Sequence, residues 1–423
     1  MSKRLLFVFL SICSVAINAQ INVKAMFYNV LNYDSDTQSE TRTPYLKNIL
    51  DEVQPDLFMI CELKGENASN YLFDNAVKPH NPNFSKAPFR NTLSPANNLQ
   101  QMVYYNSNKL ILEVTDVITT GVRDINQYTF RLNTEDADVN PIKIEVFVTH
   151  LKASRGTSNR QKRLEAVDTF VERLNLIPSD SYVLFAGDFN FYTSNEEGFL
   201  KLIDNNNPIK IIDPIDRLCP PFPNNGLDYF NEDYDATYFW NNSSFADVHS
   251  QSTRSSSLAD GAGGGMDDRF DFIMMSENFN SSSNLNYKQN SYKTIGNNGN
   301  CYNGSVNDTN CTGSYSLALR NSLYLFSDHL PIVMDLEAAT STLSVANINP
   351  IIFTNSNLVT STLRFTTTNK NIKKLIIYNQ LGQKVVDLRT NNKTEFSIDF
   401  NEFSKGIYYL KADNFSPSKI IKI

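Results

Sequence analysis

An excess of positive charge is what this chain most plainly lacks: 38 Lys and Arg stand against 45 Asp and Glu, a formal net charge of −7. That balance gives no electrostatic footprint for general nucleic-acid binding, although bound cations and a local basic patch can offset distant carboxylates. Cysteine is scarce, at 5 in 423 residues, and no Cys-x-x-Cys spacing occurs, which argues against a zinc ribbon or a dithiol redox motif. After the N-terminal segment no apolar run approaches the roughly 20 residues that a membrane helix needs. Histidine is scarcer still, with 4 in the chain, so the setting of each carries information.

What is present describes a globular protein. Hydrophobic residues make up 41% and charged residues 20% of a chain long enough for two domains, and 28 Phe with 20 Tyr favour β structure. Lys3 and Arg4 precede the apolar run Leu5 to Val15 and then Ala16-Ile17-Asn18-Ala19-Gln20. This predicts a secretory signal peptide over residues 1–19. Cys13 suits a lipoprotein signal poorly because Ile12 before it is bulky. Export permits disulfides, and Cys301 and Cys311, closing a short polar loop, are the expected pair; Cys61 reads as a buried thiol.

Strand-like and helical runs alternate through the first 340 residues. Val23 to Val30, Leu57 to Cys61, Gln100 to Tyr105, Leu110 to Ile118, Tyr128 to Leu132, Ile142 to Thr149, Tyr182 to Ala186, Phe270 to Met275 and Ile332 to Leu336 predict strands. Thr43 to Val53 and Ser158 to Leu176 predict helices; the second carries Leu164, Val167, Val171 and Leu174 on one face, with Arg160, Lys162, Arg163 and Glu165 on the rest. Residues 208–265 are irregular, and either shape substrate access or form a passive insertion. After Ala338-Ala339-Thr340 a Thr-, Asn- and Ile-rich stretch of short strands predicts a small all-β module.

Several strand ends carry residues able to hold a cation or a phosphate: Asn29 after Met26-Phe27-Tyr28, Glu62 after Ile60-Cys61, Asp188 and Asn190 around Phe189, and Asp328-His329 before Leu330-Pro331. His150 ends a further strand. Carboxylate and amide oxygens without cysteine suit Mg²⁺, Mn²⁺ or Ca²⁺ better than zinc. An adjacent Asp-His pair can hold a cation and handle a proton. Gly187 before Asp188 would let a substrate approach the backbone. Lys152, Arg155, Arg160 and Arg163 either contact substrate phosphates or form a solvated helix face. Asp267 and Asp268 either bind a second metal or sit in a solvated turn. His80 and His249 lie in polar loops and receive no role.

Tyr28-Asn29, Glu62, Thr149-His150-Leu151, Gly187-Asp188-Phe189-Asn190, Arg269-Phe270-Asp271-Phe272-Ile273 and Ser327-Asp328-His329-Leu330-Pro331, in that order, resemble the endonuclease/exonuclease/phosphatase superfamily over residues 21–338. The resemblance implies a DNase I-like four-layer α/β sandwich, in which two packed mixed β-sheets are flanked by helices. It also implies that Asn29, Glu62 and Asp328 hold the metal and that Asp188 orients or deprotonates the attacking water. Asn190 would bind the phosphate, His150 and His329 would flank it, and Asp271 would fix the His329 tautomer. Lys152 and Arg160 are candidate substrate contacts.

Leu375-Ile376-Ile377-Tyr378-Asn379-Gln380-Leu381-Gly382-Gln383-Lys384-Val385-Val386, Lys405-Gly406-Ile407-Tyr408-Tyr409-Leu410 and Lys419-Ile420-Ile421-Lys422-Ile423 resemble the type A sorting domain of the type IX secretion system. With its linker, this module is expected over residues 339–423 as a small all-β sandwich. The expectation is therefore a secreted or cell-surface monomer, handled by the type IX machinery and lacking a transmembrane segment. It would be a magnesium-dependent hydrolase acting on nucleic acid. Sphingomyelinase-like or inositol-phosphate activity, or a non-catalytic adhesin on the same scaffold, are the alternatives.

Overall fold

The computed structural model describes residues 21–94, 98–134, 137, 138, 140–230, 235–281, 284–338, 350–354, 356–368, 372–413, 415 and 417–423. The expected signal peptide and the junction at 339–349 lie outside the described residues.

The apolar runs form strands, and their near-continuous hydrophobicity reflects sheets covered on both faces. Ile21–Tyr33 pairs parallel with Leu57–Leu63 and antiparallel with Ile332–Ala338, while Leu57–Leu63 also pairs antiparallel with Gln100–Asn106. Phe84–Lys86, Leu285–Tyr287 and Lys293–Thr294 complete a mixed seven-stranded sheet. A second sheet places Leu110–Ile118, Ile125–Leu132, Lys143–His150, Tyr182–Asp188, Asp271–Ser276 and Ile211–Ile212 side by side. Within it Lys143–His150 and Tyr182–Asp188 run parallel, as strands joined through a crossover helix must, and that helix is Thr157–Leu174.

Apolar residues of both sheets, among them Phe27, Met59, Val146, Leu184 and Ile273, share one buried core. Outside the second sheet, Phe147, Phe185 and Phe272 share a core with Val167, Phe170, Val171 and Leu174 of the crossover helix, with Phe170 stacked on Phe185 at 3.9 Å. Outside the first sheet, Tyr28 packs on Phe326 of the helix Leu317–Phe326, with ring centroids 5.3 Å apart. Helix, sheet, sheet and helix make the four expected layers.

The helix Thr37–Val53 begins earlier than its apolar spacing indicates. Asp36 caps it, accepting from Ser39 N–H at 2.7 Å, and so adds turns ahead of Leu46 that bury little. Its end is as expected: Gln54 adopts the left-handed conformation (φ 55°) and Pro55 follows. Cys301 and Cys311 form the expected disulfide, and Cys61 and Cys219 are buried free thiols.

The C-terminal module is a β-sandwich. One sheet is Leu358–Val359, Ser418–Lys422, Gly406–Ala412, Lys374–Asn379 and Lys384–Arg389. The other, Ile351–Phe353, Thr362–Thr367 and Glu395–Asp399, continues the second sheet of the N-terminal sandwich, because Phe353 pairs with Val114. No described helix is long and apolar enough to cross a membrane.

Candidate active site

Four strand ends meet at one rim of the sandwich, and their backbones are bent to aim side chains inward. Leu31 (φ 51°), Asn32 (φ 47°), Glu62 (φ 63°) and Asn190 (φ 52°) are all left-handed without being glycine, a strained conformation that persists only when the surroundings enforce it. Enforcement is visible. The register between the Asn29 and Glu62 strands shifts after Asn29. Asn32 N–H donates to Glu62 Oε2 at 2.9 Å, and Arg42 donates to the Leu31 carbonyl at 2.8 Å and the Phe326 carbonyl at 2.6 Å.

Register then sets the neighbours. Asp188 lies opposite His150 on one side and Asp271 on the other. Gly187 serves this pairing rather than access for a substrate. A Cβ there would stand 2.5 Å from the Thr149 carbonyl oxygen, so the glycine lets the His150 and Asp188 strands close together.

Asn29 Nδ2 lies 2.9 Å from Glu62 Oε1, 3.0 Å from Asp188 Oδ2 and 3.3 Å from His329 Nε2, while its oxygen accepts from Leu31 N–H. Its two amide hydrogens serve the two carboxylates, so Asn29 faces the cluster as a donor and fixes both acids. His329 Nδ1 is 2.7 Å from Asp271 Oδ2, which also accepts from Ser250 Oγ at 2.6 Å. The imidazole thus gives its Nδ1–H to a carboxylate and turns Nε2 towards the cluster, 3.7 Å from Asp188 Oδ2. On the far side His150 Nε2 is 3.6 Å from Asp188 Oδ2 and 3.8 Å from Glu62 Oε1.

The electrostatics follow from this crowding. Burial, with Asp271 and Glu62 nearby, pushes Asp188 up to about 8, against the opposing charge of His329. Glu62 is raised by burial, and the charge of Asp328 adds to the rise. Burial, Arg123 and His329 hold His150 well below the ordinary imidazole range. For His329 burial works against the charge, but Asp271, Asp328 and Asp188 outweigh it and raise the imidazole well above 6.5. The Gln251 amide nitrogen, 2.7 Å from His329 Nε2, can serve either protonation state, giving N–H to the neutral ring or, after a half-turn, its oxygen to Nε2–H.

The cluster therefore carries more carboxylate charge than its own cations neutralise, which suits a divalent cation. Ligand atoms of Glu62, His150 and Asp188 lie within 4.8 Å of one another, as do those of Asp188, Asp271 and His329. Asp328 belongs to neither group. Its Oδ2 accepts from Ala262 N–H at 2.7 Å, and its buried Oδ1 has no hydrogen-bond partner, leaving an oxygen for a cation. Gly261 (φ +89°) seals that edge, since a Cβ there would touch the Asp328 carboxylate at 3.0 Å.

Of the remaining candidates, Asn190 borders this centre, and Lys152 and Arg160 are engaged by other partners. Asn190 N–H donates to Asp188 Oδ1 at 3.2 Å, and its side chain reaches the Leu151 carbonyl at 3.4 Å. Lys152 Nζ bonds the Ala153 carbonyl at 2.8 Å, and Arg160 lies 3.8 Å over the Phe230 ring. Asp268, half-buried beside Asp267, is pushed up to about 7 by burial and by that neighbour.

Arg163 corrects the expectation of an exposed basic face. It is fully buried, donating to Glu196 Oε2 at 2.8 Å and to the carbonyls of Lys152 and Ser154 at 2.7 and 3.0 Å. Glu196 in turn accepts from Tyr192 N–H at 2.9 Å. This clamp ties the loop after His150 to the loop after Asn190. The sequence held a signal: Arg163, Val167, Phe170 and Leu174 repeat at helical spacing, which puts the arginine on the buried stripe. Arg123, bonded to the Leu151 carbonyl at 2.7 Å and close enough to Asp188 and Glu62 to feel their charge, had no such signal. Nor did Ser250 or Gln251, which sit in an irregular loop. His249, between them and the core, is buried with its nitrogens facing the Trp240 and Met266 carbonyls.

These features define a two-sheet α/β sandwich flanked by helices, with an acid–imidazole site at one rim, joined to a β-sandwich module. Residues 356–423 match the family described as the secretion system C-terminal sorting domain, so that module is a sorting domain and marks the chain for secretion. No curated protein matches the chain. Solved structures with similarity include TDP2 from D. rerio complexed with single strand DNA product, at 15% identity, covering 74% of this chain and 98% of that one with a TM-score of 0.47. Others are the human Nocturnin catalytic domain with bound sulfate anion (14% identity, 75% and 97% covered, TM-score 0.43) and an endonuclease/exonuclease/phosphatase family protein from Bacteroides thetaiotaomicron (12% identity, 76% and 96% covered, TM-score 0.44).

Proposed function

We propose that the N-terminal sandwich is a secreted, divalent-metal-dependent phosphoesterase, a nuclease that hydrolyses phosphodiester bonds in DNA or RNA by in-line attack of water. The observation that carries this reading is the buried network in which Asp271 orients His329, Asn29 fixes Glu62 and Asp188, and Asp188 stands between two imidazoles. A divalent cation, Mg²⁺ or in its place Mn²⁺ or Ca²⁺, would be held by Glu62 and Asp328, with Asn29 beside them, and would neutralise charge gathering on the phosphoryl oxygens.

The chain's own groups divide the remaining work. Asp188, which burial makes more basic than an exposed carboxylate, is suited in its ionised form to take a proton from water. His329, charged with Asp271 behind it, and His150, kept neutral, present ring nitrogens on the two sides of Asp188 and would flank a phosphate brought up to the cluster. Asn190 would add an amide donor, while Asn29 holds the two acids in place. A lipid phosphodiesterase would need a membrane-contacting patch, for which Phe222, Tyr238, Phe239 and Trp240 are the candidates; Trp240 and Phe239 are buried at 0% and 3% exposure, and Phe222 and Tyr238 remain partly exposed.

The test is purified chain incubated with plasmid DNA, RNA and sphingomyelin vesicles, with Mg²⁺ or with EDTA. Cleavage of nucleic acid that EDTA abolishes, and that falls at least roughly a hundredfold in His329→Ala, is expected. Release of phosphocholine without nucleic-acid cleavage would move the substrate to lipid, and inertness of the folded chain towards all three would leave a binding protein.

A further inference from the structure

A group of aromatic rings beside the site takes no part in the chemistry above. Phe222 stacks on Tyr229 with centroids 5.0 Å apart and meets Phe230 and Tyr238 edge-on at 5.0 and 5.9 Å; Tyr229 and Tyr238 meet at 5.1 Å. None of these four belongs to a buried core cluster, and all remain partly exposed. Leu227 beside them is 68% exposed. The deeper rings of the same loop, Phe239 and Trp240, already fill the interior. The outer four therefore form a second layer that the core does not require.

Arg155 and Arg160 line one small cavity with Tyr192, Tyr229, Phe230 and Phe239, which brings this layer to the loop that follows Asn190. Arg160 stacks 3.8 Å over Phe230, with Glu197 3.9 Å from its Nε. Arg155 lies 4.6 Å over Tyr192, which follows Asn190 by two positions and packs edge-on at 5.0 Å against Phe270, the residue before Asp271. The rings thus begin where the catalytic loops end. A flat π-face beside guanidinium groups fits a planar, aromatic, anionic ligand. A quaternary ammonium headgroup would also seek ring faces, but here it would meet two positive charges.

We propose that Phe222, Tyr229, Phe230 and Tyr238, with Arg160, form a stacking subsite for a base of a single-stranded nucleic acid next to the scissile phosphate. The proposal rests on the phosphodiesterase reading of the site. An unpaired strand is required because a base held in a duplex cannot turn its face to a protein ring.

The experiment uses the full chain with Mg²⁺ and compares Tyr229→Leu with the unsubstituted protein, since leucine keeps apolar bulk and removes the ring. The substrates are a short single-stranded oligodeoxynucleotide and an abasic strand of equal length, which offers the same phosphates without bases. KM for the oligonucleotide should rise about fivefold or more in Tyr229→Leu with kcat unchanged, and cleavage of the abasic strand should not change. Equal KM values for the variant and the unsubstituted protein on the base-bearing strand would overturn the subsite. So would an equal loss on both strands, which would make the ring structural. If the unsubstituted protein cleaves neither strand, it is the phosphodiesterase reading that fails.

Discussion

At the scale of single residues, the account rests on what burial does to charge. Asp271 holds His329 through Nδ1, so Asp271→Asn should keep the fold yet lower phosphodiester turnover by roughly tenfold or more, because an amide can donate to the ring and select the wrong tautomer; steady-state kinetics beside a thermal melt checks this. His249 gives a separate stability test. Burial holds its pKa below the ordinary value, so the unfolded chain gains a proton below about pH 6.5 that the folded chain resists. Stability should therefore fall as pH drops through that point, by up to about 1.4 kcal/mol per pH unit from this group. The melting curve of His249→Gln should depend less steeply on pH between 7.5 and 5.5, and an equally steep profile would contradict the assignment. His249 was hidden in sequence because its loop is polar; it is buried by carbonyls that no periodicity announces.

Among elements, the strands of the site were legible and the loops that lock them were not. Apolar runs ending in Asn29, Glu62, His150 and Asp188 mark both strand and rim, since a side chain at the end of a buried strand must face either a neighbour or a cleft. What places those side chains is less visible: the left-handed bends at Leu31, Asn32 and Glu62, and the clamp from Arg163 to Glu196. A buried ion pair broken on one side leaves an uncompensated charge, so Glu196→Gln should destabilise the fold by roughly 3–5 kcal/mol. Replacing both partners in Arg163→Met/Glu196→Leu should recover part of that loss, as measured by denaturant unfolding. Gly187→Ala tests strand closure. Its Cβ would meet the Thr149 backbone, so a loss of stability with both His150 and Asp188 intact is expected in the same measurement.

For the whole molecule, the sandwich and the sorting module were each legible from motif order and strand rhythm. Their meeting was not, because the pairing of Phe353 with Val114 is a contact between surfaces that neither sequence segment marks. The crowded carboxylates make the folded chain a receptor for cations, so Mg²⁺ or Mn²⁺ should raise the melting temperature in a concentration-dependent way and Glu62→Gln should weaken that rise. The most direct test of the central claim is the rate of hydrolysis of a simple phosphodiester, bis(p-nitrophenyl) phosphate, by the full chain as MgCl₂ or MnCl₂ is titrated after EDTA treatment. The rate should saturate with metal and collapse in Glu62→Gln and His329→Ala while both variants remain folded. A rate independent of metal, or equal in the folded variants, would contradict that claim.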